Sequence, residues 1–217
     1  METTFTILLL IHIVSGSIGL ITGTINLIRK KGDKPHKKFG FFFLSGMLIN
    51  GVSGLLMSLI HFNFFLFIVG VFSIYMVSTG QRYLSLKTIL PTQKALKIDW
   101  ILSAGMFLFG IGFIIYGVLL LLSSNNFGIV LLVFGFISIS MVYQDFKNYQ
   151  GRNSNKNFWL LVHIQRMMGS YIAAMTAFIV VNNTILPGIV AWLLPTVIVT
   201  PLIFKWSRKY KIVSKNI

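Results

Sequence analysis

Seven apolar runs, each between 17 and 25 residues long, recur along this chain and constrain its fold more than any other feature. A helix that rises 1.5 Å per residue needs about 20 apolar residues to cross a bilayer core of roughly 30 Å. Only 11% of the residues are charged, against about 25% in soluble domains. We predict an all-α, polytopic membrane helix bundle in which residues 1–217 form a single integral membrane domain. The predicted spans lie near residues 4–28, 39–60, 64–84, 100–122, 127–143, 159–181 and 186–204.

The basic residues are distributed unevenly between the loops. Of the 19 Lys and Arg residues, 18 lie at the end of the first, third, fifth or seventh run or in the segment that follows it, and the last of these segments includes Lys215. Because short cytoplasmic loops are enriched in Lys and Arg, we expect the N-terminus outside and the C-terminus in the cytoplasm. The same distribution accounts for the net charge of +15 without a nucleic-acid partner. The partners expected instead are the lipid bilayer and anionic headgroups beside the basic loops.

Polar and small residues gather on one face of several runs when the residues are projected at 100° intervals. This face includes His12 in the first run, Asn50 in the second, and both His163 and Arg166 in the sixth, where Met168 is expected to point outward. Ionisable residues within a span usually face protein and have a partner. The candidate ligand-binding residues are therefore His12, Asn50, Arg82, Asp145, His163 and Arg166.

Each candidate also has a structural interpretation. Asp145 is the expected ion-pair partner of Arg166 or Arg82, although Arg166 and His163 lie close enough to a helix end to reach the headgroups instead. His12 is expected either to contact a ligand or to form a hydrogen bond across helices, to Asn50 or a serine. Asp99, just before an apolar run, is predicted to be a helix N-cap.

The start of the second helix is predicted from the segment RKKGDKPHKK, residues 29–38. Asp33 or Lys34 is expected to begin the helix, with Pro35 in its first turn. His36 is expected to belong to the solvated basic loop.

A haem or metal site is an alternative, because neutral imidazole is the commonest metal ligand. Its candidate ligands are His12 and His163, with Met47 or Met167 as replacements, and haem b is the candidate cofactor. From the rise of 1.5 Å per residue along the predicted helices, any two of the histidines differ in membrane depth by roughly 10 Å or more. Two axial ligands of one iron must lie almost opposite each other, so this difference disfavours axial coordination by two histidines. The chain has no cysteine and therefore no thiolate ligand. It has neither a Gly-rich phosphate loop nor a His-Glu-x-x-His motif, and an enzymatic activity is not indicated.

Four segments resemble an uncharacterised group of bacterial multi-pass membrane proteins, domain of unknown function 2306. They are HIVSGSIGLITG (12–23), RKKGDKPHKKFG (29–40), STGQRYLSLK (78–87) and HIQRMMGSYIAAMTAFIVVNN (163–183). The resemblance implies a plasma (inner) membrane protein of a bacterium and singles out His12, His36, Arg82 and His163. It implies no reaction.

Three functions remain open on the sequence. The first is a multi-pass membrane protein that binds a small ligand or lipid, or transports, through the inward polar residues. The second is a membrane redox protein that holds haem b or a metal through histidines. The third is a structural or assembly protein without a ligand.

Overall fold

A computed structural model describes residues 2–87, 93–153 and 155–211, apart from the side chain of Ile189. Within this part of the chain the fold is all-α, and each of its seven helices is long and apolar enough to cross a membrane. The prediction of seven helices of membrane-spanning length is confirmed for the described residues, whereas the orientation of the termini stays a prediction and Lys215 lies outside the described residues. The helices are α1 (Glu2–Ile28), α2 (Lys34–Ile60), α3 (Phe64–Tyr83), α4 (Lys97–Leu122), α5 (Phe127–Tyr149), α6 (Phe158–Asn182) and α7 (Gly188–Tyr210).

Two helices extend well beyond their apolar runs. α5 continues to Tyr149 and α7 to Tyr210, whereas the runs predict ends near residues 143 and 204. A hydropathy pattern ends at the first polar residues, but main-chain hydrogen bonds continue where polar side chains find partners. The longer α5 therefore includes Asp145 and Asn148, both of which are buried.

The loop between α1 and α2 is ordered by charged side chains. Asp33 is the N-cap of α2 and its carboxylate accepts the backbone N–H of His36 at 2.7 Å, which holds the pKa of Asp33 below its usual range. Pro35 lies in the first turn, so the predicted start of α2 is confirmed. Lys31 donates to the carbonyl oxygens of Leu27 and Arg29 at 2.9 and 3.0 Å, and partial burial lowers the pKa of Lys31.

The described residues form two compact units. Unit 1 contains residues up to 81 together with 161–210, and unit 2 contains residues 82–160. Whether the whole chain is one membrane domain stays a prediction. The core of unit 1 is built from large apolar side chains of α2, α3, α6 and α7, namely Phe43, Met47, Val77, Met168, Tyr171 and Val199.

In unit 1, α1 and α2 form an antiparallel hairpin with close contact between the main chains. A Cβ at Gly46 would lie 2.8 Å from the carbonyl oxygen of Ser15 and 3.0 Å from the nitrogen of Gly19. Small residues at such positions allow transmembrane helices to approach. The outer face of α1 carries large exposed apolar residues such as Leu10, Val14 and Ile21.

In unit 2, α4 and α5 form a second antiparallel hairpin in which glycines face one another. A Cβ at Gly117 would lie 2.9 Å from the carbonyl oxygen of Gly128, and a Cβ at Gly135 would lie 3.0 Å from that of Gly110. The turn between the helices includes Ser124 with a positive φ of 60°. This packing fixes which faces of α4 and α5 are buried and which remain outward.

Candidate functional site

His12 joins α1 to α2 in unit 1. Its Nδ1 lies 3.0 Å from the carbonyl oxygen of Asn50 and 3.2 Å from Ser53 Oγ. In return, Asn50 Nδ2 donates to the carbonyl oxygen of His12 at 2.9 Å. The predicted hydrogen bond across helices is therefore confirmed, and the ligand role of His12 and Asn50 stays a prediction.

His163 and Arg166, on α6, contact α3 in unit 1. His163 Nδ1 lies 2.8 Å from the carbonyl oxygen of Gly80. Arg166, only 3% exposed, donates to Thr79 Oγ1 at 2.8 Å, and its guanidinium lies 4.6 Å from the ring centroid of Tyr75. Arg166 therefore lies among protein groups, and desolvation strengthens its contact with the aromatic ring.

The expectation that Met168 points outward is wrong. Met168 is 7% exposed and belongs to the core of unit 1 with Val77 and Val199. A single inward stripe describes a helix with one packed face, whereas α6 packs against neighbours on more than one side.

The methionines proposed as haem ligands lie in packed surroundings. Met47 is 1% exposed, and its sulfur lies 3.1 Å from the position that a Cβ of Gly19 would occupy. The side chain of Met167 lies against Gly80. Among the described residues, no three His, Asp or Glu side chains are grouped so that they could hold a metal ion.

Arg82 pairs with Asp99 in unit 2, so Asp99 rather than Asp145 is the ion-pair partner that the structure gives it. Arg82 Nε and Nη2 donate to the two carboxylate oxygens of Asp99 at 2.8 and 3.0 Å. The prediction that Asp99 is an N-cap is wrong, because Leu96 holds that position and Asp99 lies within the first turn of α4. From there its carboxylate accepts the backbone N–H of Leu96 at 2.8 Å.

Asp145 is fully buried on α5 and accepts hydrogen bonds from two hydroxyl groups of unit 2. Tyr83 donates to one carboxylate oxygen at 2.7 Å and Ser103 donates to the other at 3.0 Å. Asn148 Nδ2 donates to the Tyr83 oxygen at 3.0 Å, and Asn153 donates to Asn148 at 2.7 Å. The carboxylate is thus connected through side chains to the loop after α5.

A groove of about 380 Å³ runs between α4 and α5 on the same side as Ser103. Its walls are the side chains of Trp100, Ser103, Ala104 and Phe107 from α4. The facing walls are those of Ile139, Val142, Tyr143 and Phe146 from α5. The lining is almost entirely apolar and aromatic, and the volume lies within the range of small-molecule sites.

Ser103 belongs to both features of unit 2. Its side chain lines the groove, and its hydroxyl donates to the buried carboxylate of Asp145. At the end of the groove, the ring of Trp100 lies 5.1 Å from that of Tyr149 and 6.1 Å from that of Phe146. The side chain of Ser103 therefore connects the apolar groove to the buried carboxylate of Asp145.

Sequence reasoning found Asp145 but missed Tyr83, Ser103, Asn148 and the groove. Asp99 and Ser103 are four residues apart on α4, a spacing that places both on one helix face. A projection of that run would have indicated a polar face on α4 and thereby Ser103. The groove has no such pattern, because its residues are the apolar ones of any lipid-facing helix.

No protein-family model matches the chain, and no curated protein or solved structure is detectably similar to it. The resemblance to domain of unknown function 2306 stays a prediction. For the described residues, the structure shows an all-α fold with seven helices long and apolar enough to span a membrane.

Proposed function

We propose that the chain is a multi-pass integral membrane protein that binds a small amphiphilic ligand or lipid in the α4–α5 groove. The observation that carries the proposal is the position of Ser103, which lines the apolar groove and donates to the fully buried Asp145. An ionisable residue within a membrane-spanning helix is by default a candidate for a functional site.

The groove suits an amphiphile because its two ends differ. Phe107 and Ile139 lie toward the middle of their helices, whereas Trp100 and Phe146 lie toward the start of α4 and the end of α5. Trp and Tyr are enriched where hydrocarbon meets headgroups. An apolar tail then contacts the inner part of the groove, and a polar end lies near Trp100 and Tyr143.

The orientation proposed with this function places the start of α4 and the end of α5 in the cytoplasm. The support is the sequence distribution of Lys and Arg, which concentrates in the segments beside these helix ends. A plasma (inner) membrane in a bacterium is the corresponding proposed location.

Native mass spectrometry of the protein, purified in a mild detergent, tests the proposed site. We expect a bound molecule that survives purification and is lost in Ala104→Phe, because the larger ring fills the groove. Gly112→Phe is the matched control, since a side chain there meets no atom within 4 Å. Equal retention in the two variants would show that the groove is not the site.

A redox function is a second candidate, favoured by one observation in unit 1. His12 and His163 each place Nδ1 against a backbone carbonyl, so Nδ1 carries the hydrogen and Nε2 keeps its lone pair. Metal-ligating histidines commonly have this arrangement. An absorption spectrum of the purified protein tests it: a Soret band lost in His12→Ala or His163→Ala supports haem b, and a colourless, metal-free protein contradicts it.

A further inference from the structure

The charges around the groove extend the proposed function to a class of ligand. Unit 2 contains two acidic residues, Asp99 and Asp145, and both are 0% exposed. Its lysines, in contrast, are exposed, including Lys97 at the start of α4 and Lys147 near the end of α5. The outward charge beside the groove is therefore positive.

Two of these lysines lie on α4 and α5 close in sequence to aromatic residues that line the groove. Lys97 precedes Trp100 by three residues on α4, a spacing that places the two on one helix face. Lys147 follows Tyr143 by four residues on α5, and its Nζ lies 5.5 Å from the Tyr143 ring centroid. The helix that forms each wall of the groove thus carries a lysine within four residues of an aromatic side chain of that wall.

The dimensions of the groove fit one acyl chain. From Trp100 to Phe107 the α4 wall extends about 10 Å, at 1.5 Å per residue. One leaflet of the hydrocarbon core is roughly 15 Å deep, so the groove covers most of the depth that a chain occupies. An apolar wall of this length next to two cations matches a lipid whose headgroup is negatively charged.

We propose that the α4–α5 groove binds one acyl chain of an anionic membrane phospholipid, whose phosphate is bound by the ammonium groups of Lys97 and Lys147. The inference rests on the proposed function, because it requires that the groove is occupied. It adds the headgroup preference, which comes from the two lysines rather than from the apolar walls.

Quenching of Trp100 by brominated lipids tests the inference in the full chain. A variant with Trp159, Trp192 and Trp206 replaced by Phe keeps Trp100 as its one tryptophan. It is reconstituted in phosphatidylcholine bilayers in which the mole fraction of brominated phosphatidylglycerol or brominated phosphatidylcholine is increased over the same series of values. Since a lysine near an anionic surface contributes about a fivefold preference, we expect half-quenching at a clearly lower fraction of phosphatidylglycerol.

The lysine variants separate a bound headgroup from general attraction. In Lys97→Gln/Lys147→Gln we expect the preference for phosphatidylglycerol to fall to about one. Lys94→Gln/Lys156→Gln removes the same charge from two other exposed lysines of unit 2 and should keep the preference. Equal loss in both double variants would overturn the inference, because the attraction would then be diffuse.

The outcomes also separate the inference from the proposed function. Equal quenching by the two brominated lipids, abolished by Ala104→Phe, would overturn the headgroup preference and leave an occupied groove. Quenching that Ala104→Phe does not reduce, relative to the same variant in unbrominated lipid, would overturn both. The melting temperature of each variant, measured in the same bilayers, shows whether it is folded.

Discussion

In the α1–α2 hairpin the imidazole of His12 reaches the backbone of Asn50, whereas in the α4–α5 hairpin the main chains meet at Gly117 and Gly128. Both hairpins contain small residues, but the first adds side-chain hydrogen bonds between its helices. The second brings its backbones close together at one part of its length and leaves a groove at another. Because the groove separates α4 and α5 along part of their length, the glycine contacts along the rest must hold the two helices together.

The largest expected effect comes from a larger side chain at the closest contact of α4 and α5. A Cβ at Gly128 would meet the carbonyl oxygen of Gly117 and lie 2.8 Å from Leu121 Cγ. Because backbone atoms cannot move aside cheaply, Gly128→Leu should lower the free energy of unfolding by about 3 kcal/mol. Reversible unfolding in mixed micelles measures this, with Gly112→Leu, which meets open space, as the control. Similar stability of the two variants would mean that the glycine contact does not hold this hairpin.

A smaller loss is expected when the buried carboxylate of the same hairpin is removed. Asp145→Ala leaves the hydroxyl groups of Tyr83 and Ser103 without this acceptor, which should cost about 2 kcal/mol of unfolding free energy. Asp145→Asn keeps one acceptor oxygen and should cost less. The same unfolding assay ranks the two variants, and an alanine variant as stable as the parent protein would show that the hydroxyls find other acceptors.

The hydrogen bonds of the α1–α2 hairpin should contribute less than either feature of α4–α5. A double-mutant cycle of His12→Phe and Ser53→Ala should give a coupling energy of about 0.6 kcal/mol, a typical value between membrane helices. Ser17, exposed on α1, supplies the control cycle of His12→Phe with Ser17→Ala, for which no coupling is expected. A coupling energy larger than the loss of unfolding free energy in Asp145→Ala would reverse the comparison of the two hairpins.

The smallest effect is expected at the start of α2 and depends on pH. The pKa of Asp33 is lowered first by the backbone N–H of His36, with smaller contributions from Arg29. Since the folded pKa lies below the ordinary value of 3.8, the cap stabilises α2 fully above that pH and is lost as the pH falls through the lowered folded value. Asp33→Asn keeps a cap oxygen without titrating there. The difference in melting temperature between the two proteins should therefore change between pH 6 and pH 3, and a constant difference would contradict the cap.

The sequence predicted the helices well because their lengths are set by hydrocarbon thickness. It also predicted the buried face of α1, where Ser15, Gly19, Thr22 and Gly23 are buried. The prediction failed for Met168 because a projection assigns one inward face to each helix. It failed for Asp99 because α4 begins before that residue, with Leu96 as its N-cap. It also missed the pairing of Asp99 with Arg82, which lies 17 residues earlier in the chain, where no local pattern indicates it.

The candidate site was predictable only in its polar part. Asp145 stands out in an apolar context, and its burial followed from the cost of exposing a charge to lipid. Its hydroxyl donors come from different helices, so their identity depends on how the helices pack. The groove depends on the same packing, since identical residues on a separate helix would form a plain lipid-facing surface.

The glycine contacts also define the register of the α4–α5 hairpin. Gly110 and Gly117 are seven residues apart, as are Gly128 and Gly135, so the contacts recur on one face of each helix. An insertion within either helix separates the pairs, whereas an insertion in the turn at Ser124 leaves them aligned. Because the chain has no cysteine, this turn is a natural position for a single Ser124→Cys label. Modification by a membrane-impermeant maleimide from outside the cell would then report the orientation directly, and modification only after permeabilisation would invert it.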